Sequence, residues 1–327
     1  MASTDSGKGK PSGLPEWTIA HADAGTRLDK FLAAPDRLGS RARVAAALER
    51  GKVFLNEVEC ALPDAATRLV SGDVVRVWMD RPGSATRRPG PRKSGALDIL
   101  YEDDALIVLN KPAGLLSVPL ERRNQSPSIV TLLEDYFRSS GKRKPFVVHR
   151  IDLDTSGLVL FAKTALAQQR LKDQFRRREP ERVYWAVVYG HPDPPQGSWR
   201  DRLVWDTKAL IQKETHPNDP SGVDAVSNYR VNERFAETSL IEVRLETGKR
   251  NQIRIQARLR GHTLVGEKRY VYGPGALRPI AFTRQALHAR RLAFRHPADD
   301  RPVEFEAPLP RDMADLIARL RKEAAPR

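Results

Sequence analysis

Residues 149–157, HRIDLDTSG, put two aspartates close behind a histidine and an arginine, and side chains of these types can carry chemistry. A carboxylate beside an arginine stays ionised and could act as a nucleophile. Asp152 and Asp154 could instead bind a metal ion as a pair. They could also cap a helix, with Arg150 as an ion-pair partner. The string alone leaves these three interpretations open.

Other chemical motifs narrow the choice. DLDTS superficially suggests the DxDx[TV] motif of aspartate-dependent phosphatases, but Thr155 directly follows Asp154, so the register fails. The chain has no GxGxxG, no GxxxxGK[ST] and no HExxH, and its seven histidines are not paired at ligand spacing. We therefore expect no cofactor and no metal.

The charge balance favours a polyanionic partner. The 327 residues include 56 Lys and Arg against 41 Asp and Glu, a net charge of +15. Each phosphate that a basic side chain neutralises releases counterions, so this excess favours nucleic acid as the partner. Cys60 is the only cysteine, which predicts no disulfide framework.

Composition divides the chain into four segments. Residues 1–16 are rich in Gly, Ser, Lys and Pro and should be disordered. Residues 17–80 form a small module. Residues 81–96 contain three Pro, three Gly, five basic residues and no acid, which predicts a linker. Residues 97–327 form the second and larger domain.

The elements of the small module are two short helices and a few strands. Leu28, Phe31 and Leu32 have helical spacing, with Thr26 as the predicted N-cap. A second helix is predicted to begin behind Ser40 and to end at Gly51. The segments KVFLNE and DVVRVWMD are typical of strands. This is a small α/β module rather than an enzyme core.

Strands and helices alternate irregularly in the larger domain. RVYWAVVYG (182–190) is apolar on both faces, as in a buried central strand. In LIEVRLE (240–246) apolar and charged residues alternate, which predicts one solvated face. A closing amphipathic helix is predicted from four apolar residues, Met313, Leu316, Ile317 and Leu320. We predict an α+β domain with a mixed, largely antiparallel sheet.

Five ordered motifs in residues 97–310 resemble those of the RluA-type pseudouridine synthases. HRIDLDTSGLVLFAK is similar to the family's HRLDxxTSGLLLFAK, and YEDDALIVLNKPAGL is similar to its opening strand and Lys-Pro-Ala-Gly turn. RVYWAVVYG, LETGKRNQIRIQARLRGHTLVGEKRYVYG, and LHARRLAFRHP with EFEAPLP resemble three further motifs. In the small module, GTRLDKFL, SRARV, GKVFLNE and SGDVVRV are similar to the S-four-type RNA-binding module.

The resemblance implies a pseudouridine synthase fold and the isomerisation of uridine to pseudouridine in structured RNA. That reaction cuts the bond from sugar to base nitrogen, rotates the base and rejoins it through carbon, without redox or energy input. The resemblance assigns the nucleophile to Asp152, its charge partner to Arg254 and the proton acceptor to Tyr184. Arg150 would fill the gap left by the flipped-out nucleotide. Further RNA-binding residues are assigned as Arg41, Arg43, Lys249 and Arg250.

Three departures from the family pattern concern the segment around Arg254. The family's HQIRVH is here NQIRIQ, so Asn251 and Gln256 replace histidines. Its GD is here Gly266-Glu267, and its TGR has Lys249 as the third residue. These changes bear on RNA contacts around residues 249–256 and therefore on target choice.

The S-four-type module favours large-subunit ribosomal RNA as the target, by analogy only. Transfer RNA is an alternative. A catalytically inactive RNA-binding or ribosome-assembly factor is another, although intact Asp152, Tyr184 and Arg254 argue against it; a hydrolase is a weaker third. We expect a cytoplasmic monomer without a membrane partner, because no apolar run reaches a membrane span and the N terminus resembles no targeting segment.

Overall fold

The computed structural model of the chain describes residues 15–79, 92–94 (backbone only), 97–119, 127–138, 144–207, 209, 211–270 and 279–324. The chain consists of two compact units, and the boundary between them lies between Pro89 and Gly90. The predicted tail, apart from its last two residues, and most of the predicted linker lie outside the described residues.

The N-terminal unit packs two helices against a small antiparallel sheet. Its elements are β1 (Glu16–Thr18), α1 (Leu28–Leu32), α2 (Arg41–Glu49), β2 (Val53–Leu55), β3 (Val58–Cys60) and β4 (Val74–Val77), with 3-10 turns at His21–Asp23 and Leu62–Ala66. The strand order is β1-β4-β2-β3. The apolar residues with helical spacing in α1 and α2 are buried in one core, as the sequence predicts.

The starts of the two helices differ from each other. The Ser40 hydroxyl accepts the backbone N–H of Arg43 at 3.3 Å, so the predicted cap of α2 is confirmed. The predicted cap of α1 is wrong, because Arg27 holds that position and makes no side-chain cap bond. The backbone N–H of Leu28 instead donates to Thr67 O at 2.9 Å, so pairing with the chain around Thr67 replaces a side-chain cap.

The C-terminal unit contains the larger domain. Its strands are β5 (Arg92–Ser94), β6 (Leu97–Glu102), β7 (Leu106–Lys111), β8 (Phe146–Val147), β9 (Ser156–Ala162), β10 (Glu181–Tyr189), β11 (Gln196–Asp206), β12 (Ile211–Glu214), β13 (Val223–Arg234), β14 (Thr238–Leu245), β15 (Leu287–Arg295) and β16 (Pro302–Glu306). Its helices are α3 (Ile129–Arg138), α4 (Ala165–Arg177), α5 (Gln252–Leu259) and α6 (Arg311–Ala324). β5 lies within the predicted linker segment and pairs with β6.

The described strands of this unit form a twelve-stranded mixed sheet. Its order is β12-β11-β13-β14-β10-β15-β9-β7-β6-β5, with β16 on β15 and β8 on β9. The β9–β15 pair is parallel, and the other pairs are antiparallel. The prediction of a mixed, largely antiparallel α+β domain is confirmed.

Helices cover both faces of the sheet, and the strand period of two sorts the side chains between them. On β10, Tyr184, Ala186 and Val188 pack into the core that includes α5 residues. Val187 and Tyr189, which point the other way, pack with α6. The predicted closing helix is thereby confirmed. β10 is the buried central strand that the sequence predicts, and one of its faces packs toward α5.

Gly157 lets β9 approach β15 where the two strands run parallel. Its φ is +108°, and a Cβ built on it would overlap the backbone carbonyl of Ala289. Only glycine fits this close approach without moving a strand. This contact fixes the point at which the preceding loop, with Asp152 and Asp154, joins β9.

We expect Gly157→Ala to lower the free energy of unfolding by about 3 kcal/mol or more, since backbone strain alone costs about 1–3 kcal/mol and the overlap adds to it. Urea denaturation measures the loss. Gly114→Ala is the matched control, because Gly114 has φ +81° with no atom within 4 Å of a built Cβ, and should cost roughly 1–2 kcal/mol. Equal losses in the two variants would contradict the close-approach explanation.

Candidate active site

The loop between β8 and β9 carries Asp152, and its backbone is held from both sides. The Ser117 hydroxyl donates to Ile151 O at 2.9 Å. Lys111 Nζ donates to Leu153 O at 2.8 Å and to two carbonyls of its own turn. Burial lowers the pKa of Lys111 to about 7, against the opposing pull of the nearby aspartates. The backbone carbonyls of both residues that flank Asp152 are therefore fixed.

Arg284 holds the next part of the same loop. Its Nη1 donates to Asp154 O at 3.0 Å, and its Nε and Nη2 bind the carboxylate of Asp312 on α6 at 2.7 and 3.0 Å. Ser156 follows, with its hydroxyl 3.0 Å from His288 Nδ1. Buried polar side chains thus hold three backbone carbonyls of the loop ahead of β9, those of Ile151, Leu153 and Asp154.

Arg254 on α5 reaches the Asp152 carboxylate. Its Nη1 lies 3.3 Å from Asp152 Oδ2 and donates to Asn251 Oδ1 at 2.9 Å. Its Nε and Nη2 bind Glu267 at 2.6 and 2.7 Å. The Asp152 side chain is 22% exposed, whereas that of Glu267 is 0% exposed. The guanidinium is therefore clamped by a buried carboxylate and presents one nitrogen to a carboxylate that solvent still reaches.

Glu267 stays ionised although it is buried. Burial raises its pKa, but the hydrogen bonds and charge of Arg254 outweigh that effect and leave the pKa below its ordinary value. The backbone N–H groups of Arg269 and Tyr270 also donate to its Oε1, at 2.8 and 3.2 Å. An ionised Glu267 explains how Arg254 can remain charged in the same buried site.

Tyr184 on β10 lies on the strand face that packs toward α5. It is 8% exposed, and its hydroxyl makes no hydrogen bond within the described residues. Burial raises the pKa of Tyr184 to about 12, opposed by the charge of Arg182. The phenol is therefore protonated at neutral pH.

A cleft of about 510 Å³ brings together five of the eight predicted site residues. They are Arg150, Asp152, Tyr184, Lys249 and Arg254. Arg150 is exposed and makes no ion pair or hydrogen bond within the described ranges. These five residues combine one carboxylate, one phenol and three cations, which suits an anionic substrate.

The other three predicted residues lie elsewhere. Arg250 packs over the Trp205 ring, with 4.2 Å from its guanidinium carbon to the ring centre, and does not line the cleft. Arg41 and Arg43 belong to the N-terminal unit, where both are exposed in the first turn of α2.

Of the four residues that depart from the family pattern, Lys249 lines the cleft, and the side chains of the other three, Asn251, Gln256 and Glu267, contact the protein itself. Asn251 has φ +53° and precedes α5, a conformation that asparagine tolerates better than most residues. Its amide and Glu267 both bind Arg254. Gln256 is fully buried, with hydrogen bonds to Asp201 at 2.7 Å and to Ser227 at 2.6 Å. Two departures therefore bear on Arg254, and the third belongs to the core.

His149 and Arg182 are among the cleft residues that were not assigned from the sequence. His149 stacks on Phe175 at 5.0 Å and accepts the backbone N–H of Leu160 at 3.0 Å. Burial, with the charge of Arg182, lowers the pKa of His149 to about 3, so the imidazole is neutral. Arg182 lies two positions before Tyr184, and strand periodicity could have found it because both side chains face the same way.

The described part of the chain contains no group of three or more His, Cys, Asp or Glu residues that could hold a metal ion. Within the same ranges, no helix is long and apolar enough to cross a membrane.

Comparison with known proteins identifies the class to which this fold and cleft belong. The sequence model for RNA pseudouridylate synthase matches residues 105–259, which include Asp152, Tyr184 and Arg254. The chain is 36% identical over 308 residues to the uncharacterized RNA pseudouridine synthase YlyB of Bacillus subtilis, covering 93% of this chain and 97% of that protein. It is 35% identical over 314 residues to the ribosomal large subunit pseudouridine synthase D of Zymomonas mobilis, covering 93% and 96%.

A solved structure shares the fold. The human RNA pseudouridylate synthase domain containing 4 superposes with a TM-score of 0.56 at 21% identity, covering 68% of this chain and 92% of that one. Together with the sequence relatives, these matches show that the chain belongs to the RNA pseudouridylate synthase family, whose members are isomerases. The predicted RluA-type family and enzyme class are confirmed.

Proposed function

We propose that the chain converts uridine to pseudouridine in large-subunit ribosomal RNA, with Asp152 as the nucleophile. The observation that carries the proposal is the unequal pairing of Arg254, which binds Glu267 through two nitrogens and Asp152 through one at 3.3 Å. The Asp152 carboxylate is thereby oriented by a cation while it remains accessible from the cleft.

The proposed reaction balances without a co-reactant. The bond between ribose C1′ and uracil N1 breaks, the base turns, and a bond forms between C1′ and C5. The hydrogen on C5 leaves as a proton, and N1 gains one. Asp152 bonds to C1′ as the bond from C1′ to N1 breaks, and it is released again as the carboxylate when C5 bonds to C1′. Arg254 stabilises the carboxylate, and Tyr184 accepts the C5 proton. Arg150, exposed at the cleft, occupies the space of the extruded nucleotide.

The ribosomal target rests on the relatives. Several of them, including those of Zymomonas mobilis and Vibrio cholerae, are named ribosomal large subunit pseudouridine synthase D, and this chain covers at least 95% of those two proteins. Within this proposal the N-terminal unit is an S-four-type RNA-binding module. Arg41 and Arg43 support that role, because they lie at the positive end of α2 with no acid in its first turn. An RNA phosphate would offset that unfavourable charge.

For the N-terminal unit, we expect the double variant Arg41→Gln, Arg43→Gln to bind structured RNA more weakly and with a salt slope lower by about 1.5, because each lost phosphate contact removes about 0.7–0.9. Filter binding over about 50–200 mM salt measures the slope. Arg27→Gln is the control, since Arg27 is already paired with Asp29 at 2.9 Å. An unchanged salt slope in the double variant would contradict an RNA-binding role for Arg41 and Arg43.

For the nucleophile, we expect Asp152→Asn to lower the single-turnover rate by at least a factor of about 10⁴, because the amide cannot attack. Arg254 keeps Glu267 and Asn251, so the loss of stability should be only about 1 kcal/mol. The measurement is single-turnover release of tritium from C5 of labelled uridine in ribosomal RNA, with enzyme in excess.

Asp154→Asn is the matched control for this variant. The Asp154 side chain makes no hydrogen bond within the described residues, while its backbone carbonyl accepts from Arg284. It should keep most of its activity. A dead Asp154→Asn beside an active Asp152→Asn would reverse the assignment.

For Tyr184, the proton-accepting role needs the phenolate, and with a pKa of about 12 the phenolate fraction rises tenfold for each unit of pH through the neutral range. We therefore expect the single-turnover rate to rise with pH between about 6 and 8.5. Tyr184→Phe keeps the ring and should be slower and lack this rise. Asp152 and Arg182 also face the phenol. A flat wild-type profile, or a wild-type rate in Tyr184→Phe, would exclude Tyr184 as the base.

A further inference from the structure

One wall of the cleft is formed by the end of α4 and the chain that follows it. Arg178 ends the helix with φ +60° and ψ +30°, and its backbone N–H bonds back to Gln174 O and Phe175 O. Glycine or asparagine usually takes this left-handed position, because a larger side chain is strained there. An arginine at this point therefore adds backbone strain that glycine would avoid.

The Arg178 side chain lines the cleft. It is exposed, and it makes no ion pair or side-chain hydrogen bond with any residue that the structure describes. Its neighbour Arg177 is also exposed, but it is paired with Glu179 at 2.6 Å and does not line the cleft. Of these two adjacent arginines, one is therefore available to an incoming anion.

Arg182 on β10 lines the same cleft and is largely buried. Its Nη2 donates to Leu245 O and Glu246 O at 3.3 and 3.2 Å, and its guanidinium lies 5.6 Å from the Phe175 ring centre. Its Nε is buried with no hydrogen-bond partner in the described residues. Burial lowers the pKa of Arg182, although the guanidinium stays protonated at any physiological pH.

The absence of a side chain at Gly248 makes room for the Arg182 guanidinium. A Cβ at Gly248 would fall 2.5 Å from Arg182 Nη1, so a larger residue there would displace the guanidinium. A buried cation that is bound by two carbonyls and by no carboxylate among the described residues is incompletely compensated. A ligand that brings negative charge to this wall would complete its pairing.

We propose that Arg178 and Arg182 bind backbone phosphates of the RNA strand that carries the target uridine. Guanidinium groups match phosphate oxygens in both charge and geometry. This inference rests on the proposed function, because the cleft that these side chains line also contains Asp152 and Tyr184. Phosphate contacts on this wall would set the register of the strand, while the choice of base is made elsewhere.

The test measures RNA binding in an Asp152→Asn background, so that turnover does not enter the result. The probe is a transcript of large-subunit ribosomal RNA, titrated at several salt concentrations. We expect Arg178→Gln to weaken binding about tenfold and to lower the salt slope by about one, as for a lost phosphate contact. Arg177→Gln, the adjacent control, should bind like the parent protein. Equal binding and equal slopes in these two variants would overturn the proposal.

Two further variants separate a phosphate contact from a folding defect. Arg178→Gly relieves the left-handed strain, so it should bind as weakly as Arg178→Gln while its melting temperature is equal to or above that of the parent. Arg182→Lys keeps the positive charge but loses the planar guanidinium, which can donate to two phosphate oxygens at once. It should therefore recover part of the binding that Arg182→Gln loses. If Arg182→Lys recovers nothing, or if weak binding always accompanies a lower melting temperature, the phosphate role is wrong. Failure of the active enzyme to form pseudouridine in this RNA would instead contradict the proposed function and leave the binding result standing.

Discussion

The pairing of Arg254 is the constraint on which the cleft depends. A buried guanidinium must be compensated, and Glu267 supplies a fully buried carboxylate that binds two of its nitrogens. The remaining nitrogen is shared between Asn251 and Asp152. Asp152 therefore does not have to neutralise Arg254 alone. Its carboxylate is oriented by the cation and keeps an accessible side toward the substrate.

The rest of the domain positions this group of charges. The Asp152 loop is fixed by Lys111, Ser117 and Arg284, which bind the backbone carbonyls of Leu153, Ile151 and Asp154, respectively. The loop then enters β9 at Gly157, where the parallel contact with β15 leaves no room for a side chain. Asp152 lies in the loop between β8 and β9, whereas Arg254 lies on α5. The 3.3 Å distance between Asp152 Oδ2 and Arg254 Nη1 therefore depends on the contacts that hold the loop and on the contact at Gly157.

Much of this could be predicted from the sequence. Strand and helix periodicity located β10, β14 and α6, and the irregular order of elements predicted a mixed sheet. The motifs linked Asp152 with Arg254 although 102 positions separate them. These predictions succeed because buried faces impose regular spacing and because the resemblance supplies the pairing between distant segments.

Other features depend on tertiary contacts that no local pattern shows. Arg250 adjoins Lys249 in sequence but packs on Trp205, because the backbone turns into α5 at that point. Thr26 does not cap α1, since the chain around Thr67 accepts the first N–H of the helix. Glu267 departs from the family pattern, but its two hydrogen bonds with Arg254 follow from the tertiary structure and not from the local sequence. The left-handed backbone at Arg178 likewise has no signal in the sequence.

The most direct measurement of the central claim is pseudouridine mapping across total RNA from cells that lack this protein. The cells would be complemented with the wild-type chain or with Asp152→Asn. We expect one or more pseudouridines in large-subunit ribosomal RNA to disappear without the protein, to return with the wild-type chain and to stay absent with Asp152→Asn. Full restoration by Asp152→Asn would contradict the catalytic assignment. Loss confined to transfer RNA would contradict the ribosomal target.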